Sequence, residues 1–209
     1  MTMNSEPDGG ASRDDLLQRI ELMETMIAEG RQATARFGWI FVLWGLVDIG
    51  GMALEMAHPG HIWNWPVALT IGMALQFAGL SLRKRVGREC RPNTQARAVS
   101  AIWGMMGATL VMYCFTAIFS HQANGRGYLA AIFMTIGLAH AASAIILRWP
   151  VQGGVAVLWW AGGITCFFVS GAWFLTIFGV EMVFGMVLFG LYGIYLDHRS
   201  AQRIDGAHA

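Results

Sequence analysis

The chain has 209 residues, of which 56% are hydrophobic and 13% charged, whereas about 25% of the residues in an ordinary soluble domain are charged. Its formal net charge of +1 gives no overall field to attract nucleic acid, and its 3 cysteines lack a CxxC or Cys/His metal spacing. These features argue against a nucleic-acid-binding, disulfide-stapled or zinc-stabilised domain. They predict an all-α membrane protein with several spanning helices.

The N-terminal segment has two parts. Residues 1–11 are small and polar, so we expect them to be disordered, and they do not resemble a signal peptide. A cytoplasmic amphipathic helix is predicted over residues 12–34, because Ser12 can cap it and Asp15 stands at the capping-box position.

This predicted helix carries an apolar seam, in which hydrophobic side chains recur at steps of four and three. The seam consists of Leu16, Ile20, Met23 and Ile27. Residues 12–31 also carry five acidic and three basic side chains, so anionic lipid would not attract them. We expect the seam to pack on the cytoplasmic face of the protein near the loop 83–97, or against a second copy of the chain.

A bundle of six transmembrane helices is predicted within residues 36–197, followed by a cytoplasmic tail at 198–209. Each apolar run approaches the roughly 20 residues that cross a bilayer. The predicted spans are 37–57, 66–82, 98–119, 128–147, 153–176 and 180–196.

The basic residues predict the orientation of the bundle. The N-terminal segment, the second and fourth loops and the tail hold 13 of the 14 Lys and Arg residues. By the positive-inside rule these four segments lie in the cytoplasm, which puts both termini inside a bacterial inner membrane. The second loop is also predicted to hold anionic lipid headgroups. The residues concerned are Arg83, Lys84, Arg85, Arg88 and Arg91.

The spans also look like three consecutive helical hairpins. The odd-numbered spans share a Trp followed by a small residue, at Trp44-Gly45, Trp103-Gly104 and Trp160-Ala161. Small residues four apart recur in the third span, at Ala96, Ser100, Gly104 and Ala108, and in the pairs Ala74–Ala78 and Ala139–Ser143. Such stripes permit close helix packing inside the molecule, or alternatively a homodimer interface.

Two short motifs carry a resemblance. Glu24-Thr25-Met26-Ile27 in the amphipathic helix, followed by Leu43-Trp44-Gly45 in the first span, resembles a loose group of small bacterial integral membrane proteins of unknown function. The resemblance covers roughly residues 1–50. It is in keeping with the six-span prediction and implies no activity.

The first span contains the residues that are hardest to place in lipid. Asp48 lies at its middle and Glu55 lies two turns further on, and burying a carboxylate there costs about 2.5–3.5 kcal/mol. His140 and Gln76 lie at a similar predicted depth in other spans. We expect Asp48, His140 and Gln76, together with Glu55, to form a polar centre. This centre would serve as an ion or proton pathway, or alternatively it would only fix the packing of the helices.

The outer face gathers a second set of polar side chains. His58, His61 and His121 come from outer loops, and Glu55 and Glu181 lie near them in the predicted topology. Imidazole and carboxylate are ligands of zinc and copper, which makes these residues weak metal candidates. The alternative is that the histidines anchor loops at the headgroups, together with Trp63 and Trp65.

No catalytic or cofactor motif occurs, so we expect neither enzymatic activity nor a cofactor. The basic loop has no interleaved aromatic residues, which argues against nucleic acid as a partner. Two functions stay open. The first is a small ion or solute transporter or channel, and the second is a sensor or accessory subunit that acts through the N-terminal helix.

Overall fold

The structure is a computed structural model that describes residues 13–85, 94–121 and 126–207, and all regular structure within these ranges is helical. The predicted disorder of residues 1–11 lies outside the described residues. So do Arg88 and Arg91 of the predicted headgroup-binding loop. The helices in chain order are α1 (Arg13–Arg36), α2 (Gly38–Ala57), α3 (Asn64–Arg85), α4 (Thr94–Phe119), α5 (Arg126–Leu147), α6 (Pro150–Thr165), α7 (Ala172–Val180), a π-helical segment (Glu181–Leu188) and α8 (Phe189–Ala207).

Five helical stretches in the described ranges are long and apolar enough to cross a membrane. They are Asp15–Ala57, Asn64–Arg83, Thr94–Phe119, Gly127–Leu147 and Trp173–Ser200. Helix α6 has only 16 residues, or about 24 Å at 1.5 Å per residue. The expectation of an all-α chain built on apolar helices is therefore confirmed, and six complete spans remain a prediction.

The last two helices differ from the predicted spans 153–176 and 180–196. Helix α6 ends at Thr165, and α7, the π-helical segment and α8 then run without a break from residue 172 to 207; we call this run the last helix. The connection is at 166–171 rather than 177–180, because the chain turns at Gly171 with a φ of 62°, a conformation that only glycine adopts without strain.

Helix α1 covers the region in which a helix was predicted, residues 12–34, but its apolar seam is not covered as expected. The side chains of Leu16, Ile20 and Met23 are 49–55% exposed. Close packing on the bundle begins only at Gly30, where a Cβ would lie 2.8 Å from Leu147. The expected contact with loop 83–97 falls largely on residues outside the described ranges.

Arg31 fastens α1 to the end of α5. Its Nε donates to the carbonyl oxygen of Leu147 at 2.7 Å, and its Nη2 donates to the carbonyl oxygen of Arg148. The last carbonyls of a helix have no partner within the helix, so this guanidinium caps α5.

A second arginine fastens the other helices at the same end. Arg83 donates to the carbonyl oxygen of Arg36 at 2.7 Å and lies 5.4 Å from the ring centre of Trp39. Arg36 in turn pairs with Asp197 of α8 at 3.4 Å. We call the end that holds Arg31, Arg36, Arg83 and Arg148 the basic end. The four segments predicted to share one side therefore meet there.

Glycines bring α2 and the last helix into close contact. A Cβ on Gly38 would lie 2.5 Å from the carbonyl oxygen of Gly190, and one on Gly45 would lie 2.9 Å from Cβ of Met186. By contrast, nothing lies within 4 Å of a Cβ on Gly104. The glycines of the first two Trp-Gly pairs thus have different surroundings, and the threefold repeat stays a prediction.

The small-residue stripes also divide into two kinds. Ala139 and Ser143 are buried and pack inside the molecule, as expected. Ser100, Gly104 and Ala108 face outward on α4 instead. Packing within the bundle therefore does not account for the α4 stripe.

Candidate functional site

Asp48 lies on α2 and is partly exposed. Its carboxylate is within electrostatic range of Cys114 on α4 and Tyr128 on α5, whose side chains lie within hydrogen-bonding reach of each other. Tyr128 also stacks on Tyr113 with ring centres 5.4 Å apart. The surroundings of Asp48 thus contain a phenol and a thiol, neither of which the sequence analysis connected to it.

His140 is fully buried in an aromatic cage. Ring centres of Phe41, Trp103 and Phe189 lie 5.7, 4.8 and 5.1 Å from its own. Neither ring nitrogen has a hydrogen-bond partner, and the Trp103 indole donates to Ser143 at 3.0 Å instead. The cage positions the imidazole among apolar rings and away from carboxylates.

The structure therefore does not join Asp48 and His140 in one polar centre. His140 stacks near Phe41, which precedes Asp48 by two turns, or about 10 Å along α2. Tyr128, near Asp48, precedes His140 by twelve residues, or about 18 Å along α5. The sequence placed the two residues at one depth because it counted from span boundaries that were uncertain by a few residues.

Gln76 and Glu55 have structural partners. Gln76 Oε1 accepts a hydrogen bond from Trp44 Nε1 at 2.5 Å, which joins α3 to α2. Glu55 accepts from the backbone N–H of Gly60 at 2.7 Å and from Asn64 Nδ2 at 2.8 Å. Glu55 therefore organises the loop between α2 and α3 and does not extend a pathway from Asp48.

The weak metal candidates do not form a common site. His58, His61 and His121 are exposed, whereas Glu181 is 1% exposed within the bundle. No group of three or more His, Cys, Asp or Glu that could hold a metal occurs in the described part of the chain.

The predicted headgroup residues have mixed roles. The Arg83 guanidinium bonds to the carbonyl oxygen of Arg36 and lies over the Trp39 ring, whereas Arg85 is exposed. Lys84 is placed only as part of the α3 backbone. Lipid binding by this loop stays a prediction.

Among the described carboxylates, Glu181 has the most buried side chain, with 1% of its surface exposed. It lies nine residues into the last helix, about 14 Å from its start. Its Oε1 fits against Gly162 of α6, where a Cβ would lie 2.8 Å from Glu181 Cδ. Its Oε2 is buried without a hydrogen-bond partner. A buried charge of this kind requires a proton, a cation or water.

A cleft of about 260 Å³ lies beside this carboxylate, between α6 and the last helix. Among the described residues that line it, Glu181 is the only charged one, and Trp173 at its edge is 69% exposed. The remaining lining is mostly apolar and comprises Leu158, Ala161, Gly162, Thr165, Thr176, Ile177 and Val180.

Glu181 also begins the π-helical segment. This segment is clamped by α6 and α2: a Cβ on Gly185 would lie 2.7 Å from Trp159 Nε1, and Met186 faces Gly45. A π turn widens the helix and is found frequently at functional sites. Here it lies directly beside the buried carboxylate.

Further buried polar groups follow α6 from Glu181 toward the basic end. The indole N–H of Trp159 and both amide atoms of Gln152 are buried without partners, and both residues are 0% exposed. Gln152 lies ten residues, or about 15 Å, before Gly162 on the same helix. Most buried polar atoms in proteins are hydrogen-bonded, so these exceptions mark a line of unusual polarity.

This site could not be predicted from the sequence because two of the predicted span boundaries were displaced. The predicted span 180–196 put Glu181 at the outer surface, and the predicted span from 153 left Gln152 in a loop. The Ser170-Gly171 pair is a turn signal that could have moved the boundary. This pair lies in the apolar run CFFVSGAW, so a hydropathy profile shows no break there.

Comparison with protein-family models, curated proteins and solved structures found no match for this chain. Its class is therefore defined by the molecule itself: a helical bundle with an apolar exterior and a buried carboxylate beside a cleft.

Proposed function

We propose that this chain is a multi-pass protein of a bacterial inner membrane that binds a proton or small cation at Glu181 and passes it across the bilayer. Both termini lie in the cytoplasm in this proposal, with the basic end inside. The observation that carries it is the Glu181 carboxylate, buried beside a cleft with one oxygen unpaired.

The exterior of the bundle supports insertion in a membrane. Large apolar side chains point outward on several helices, with Phe77 59%, Met105 68% and Ile145 78% exposed. A water-soluble monomer rarely exposes contiguous apolar surface on this scale, whereas lipid covers it at no cost.

The depth of Glu181 fits a site in the transport path. A distance of about 14 Å from the start of the last helix corresponds to the middle of a 30 Å hydrocarbon core. Ionisable groups at that depth mark ion and proton pathways. The cleft borders Glu181 on one side, and Trp159 and Gln152 continue the line of buried polar groups toward the basic end.

The test is proton flux into vesicles that contain the purified protein and a pH-sensitive dye. Glu181→Gln keeps the shape of the side chain and removes its charge, so we expect the flux to fall at least tenfold. Glu55→Gln is the matched control and should leave the flux unchanged, because Glu55 serves the α2–α3 loop. Unchanged flux in Glu181→Gln would contradict the proposal.

Asp48→Asn distinguishes the other candidate carboxylate. If Asp48 carried the ion, this variant would lose flux and Glu181→Gln would not. We expect the reverse, because Asp48 is partly exposed whereas the side chain of Glu181 is 1% exposed. Circular dichroism of both variants checks that the helices are intact.

One observation favours a second function, that of an accessory subunit acting through α1. The seam residues Leu16, Ile20 and Met23 are exposed in this structure. The double variant Ile20→Gln, Met23→Gln separates the two functions. It should keep full flux in vesicles if transport is the function of the bundle.

A further inference from the structure

The cleft beside Glu181 has a chemistry that narrows the ligand. We propose that it takes an amphiphilic cation, an apolar body with one positive charge, which competes with a proton for the Glu181 carboxylate. This inference rests on the proposed function and names the substrate class of the same site.

The charge of the ligand follows from the lining. Glu181 is the only ionisable residue among those that border the cleft. An anion would meet an uncompensated carboxylate in a low-dielectric site, where like charges repel strongly. A cation instead neutralises the charge of this carboxylate, whose Oε2 has no hydrogen-bond partner.

The lining also argues against a calcium or magnesium ion. A calcium ion takes six to eight oxygen ligands, and magnesium demands a near-octahedral set. Besides the carboxylate, the cleft offers the side-chain oxygens of Thr165 and Thr176, and the Thr165 hydroxyl is bonded to the carbonyl oxygen of Ala161 at 2.6 Å. An organic ammonium or phosphonium needs no such shell.

The apolar walls provide for the rest of the molecule. Leu158, Ile177 and Val180 present hydrocarbon to the cleft, and the exposed indole of Trp173 can receive a cation over its face. A volume of about 260 Å³ lies below the roughly 300–1,000 Å³ of a typical small-molecule pocket. The cleft therefore holds the charged end of the ligand, and the remainder extends toward the lipid.

Competition at one carboxylate couples the cation to the proton. The protonated carboxyl releases its proton to water as the cation binds, and the carboxylate remains as the counter-ion, so charge balances. By linkage, each ligand lowers the affinity of the other by the same factor. Cation affinity should therefore rise with pH while the carboxyl is being deprotonated.

The probe is tetraphenylphosphonium, added to the purified full-length protein in detergent. We expect saturable binding by equilibrium dialysis, tighter at higher pH, with proton release into weakly buffered solution. Glu181→Gln should weaken binding at least tenfold and abolish proton release. Trp173→Ala should weaken binding about two- to fivefold, as expected for an exposed cation–π contact. Asp48→Asn is the control and should behave as wild type.

A neutral competitor and a variant that fills the cleft provide two further tests. Triphenylphosphine oxide, a neutral analogue, should not compete; equal competition would show an apolar cleft without charge selection and overturn the inference. Leu158→Trp fills the cleft and leaves the carboxylate, so it should block the phosphonium even if Glu181→Gln fails to fold. If no phosphonium binds while proton flux still depends on Glu181, the substrate class is wrong and the proposed function stands.

Discussion

Gly162 is the residue on which the position of the Glu181 carboxylate depends. A Cβ there would overlap Glu181 Oε1 and lie 3.0 Å from its Cγ. An added methyl group would therefore force the Glu181 side chain away from its present position against α6.

We therefore predict that Gly162→Ala lowers the free energy of unfolding by about 1–3 kcal/mol, the usual cost of overpacking a core. Gly154→Ala on the same helix is the matched control, because nothing lies within 4 Å of its Cβ. That change should be neutral or stabilise by up to about 1 kcal/mol through helix propensity. Unfolding in denaturing detergent, followed by circular dichroism, measures both. Equal stability of the two variants would contradict the proposed contact.

For individual residues, the sequence indicated which polar side chains lie in apolar runs, but it did not predict which side chains they contact. Asp48, His140 and Glu181 were all recognisable as polar groups in apolar runs. Their partners depend on helix rotation and depth, which a span boundary wrong by several residues changes completely. The aromatic cage of His140 draws its rings from α2, α4 and α8, and no local pattern announces it.

At the scale of elements, α1 is joined to the bundle by a side chain that caps another helix. Arg31 donates to the last carbonyls of α5, at Leu147 and Arg148. Beyond Gly30 toward the N-terminus, the exposed seam contributes little to this attachment. The cap and the packing from Gly30 onward therefore control whether α1 stays docked.

Arg31→Gln should loosen α1 without unfolding the bundle. Losing hydrogen bonds from a charged group costs about 1.5–3 kcal/mol when they are buried, and we expect about 1 kcal/mol here because the guanidinium is partly exposed. Hydrogen exchange of the α1 amides should accelerate about fivefold. Arg19→Gln, on the exposed part of the same helix, is the control. If both variants exchange at the wild-type rate, the cap does not hold α1.

The position of the helix break within the last 60 residues could not be predicted from hydropathy. Hydropathy alone allowed a break near Gly179, whereas the backbone breaks at Gly171 and the helix then continues to Ala207. Gly171 and Gly179 are both glycines flanked by mainly apolar residues in the sequence. Packing of Gly185 on Trp159 and of Gly45 on Met186 holds residues 172–190 as one helix, and such tertiary contacts are absent from a hydropathy profile.

At the scale of the whole molecule, one charged end organises the helices. Arg31, Arg36 and Arg83 all bond to neighbouring segments there. The distribution of basic residues predicted this grouping from sequence, because insertion sorts Lys and Arg to one side of a bilayer.

The grouping leads to a topology prediction. A reporter that is active only in the cytoplasm should be active when fused after Ala209 and inactive when inserted in the exposed loop at His61. An insertion between Lys84 and Arg97 should again be active. The opposite pattern would place the basic end outside and reverse the direction of access to Glu181.

In the proposed membrane topology, the short helix α6 would affect the bilayer around it. At about 24 Å it is roughly 6 Å shorter than a typical hydrocarbon core, and the neighbouring last helix is far longer. Residues 166–171, which follow it, lie outside the helices, and irregular backbone does not occur exposed to hydrocarbon. The hydrophobic mismatch is therefore local and one-sided. Under the proposed function, lipid would thin over this corner of the protein, and the membrane surface would dip toward Glu181 and shorten the distance that an ion travels without water.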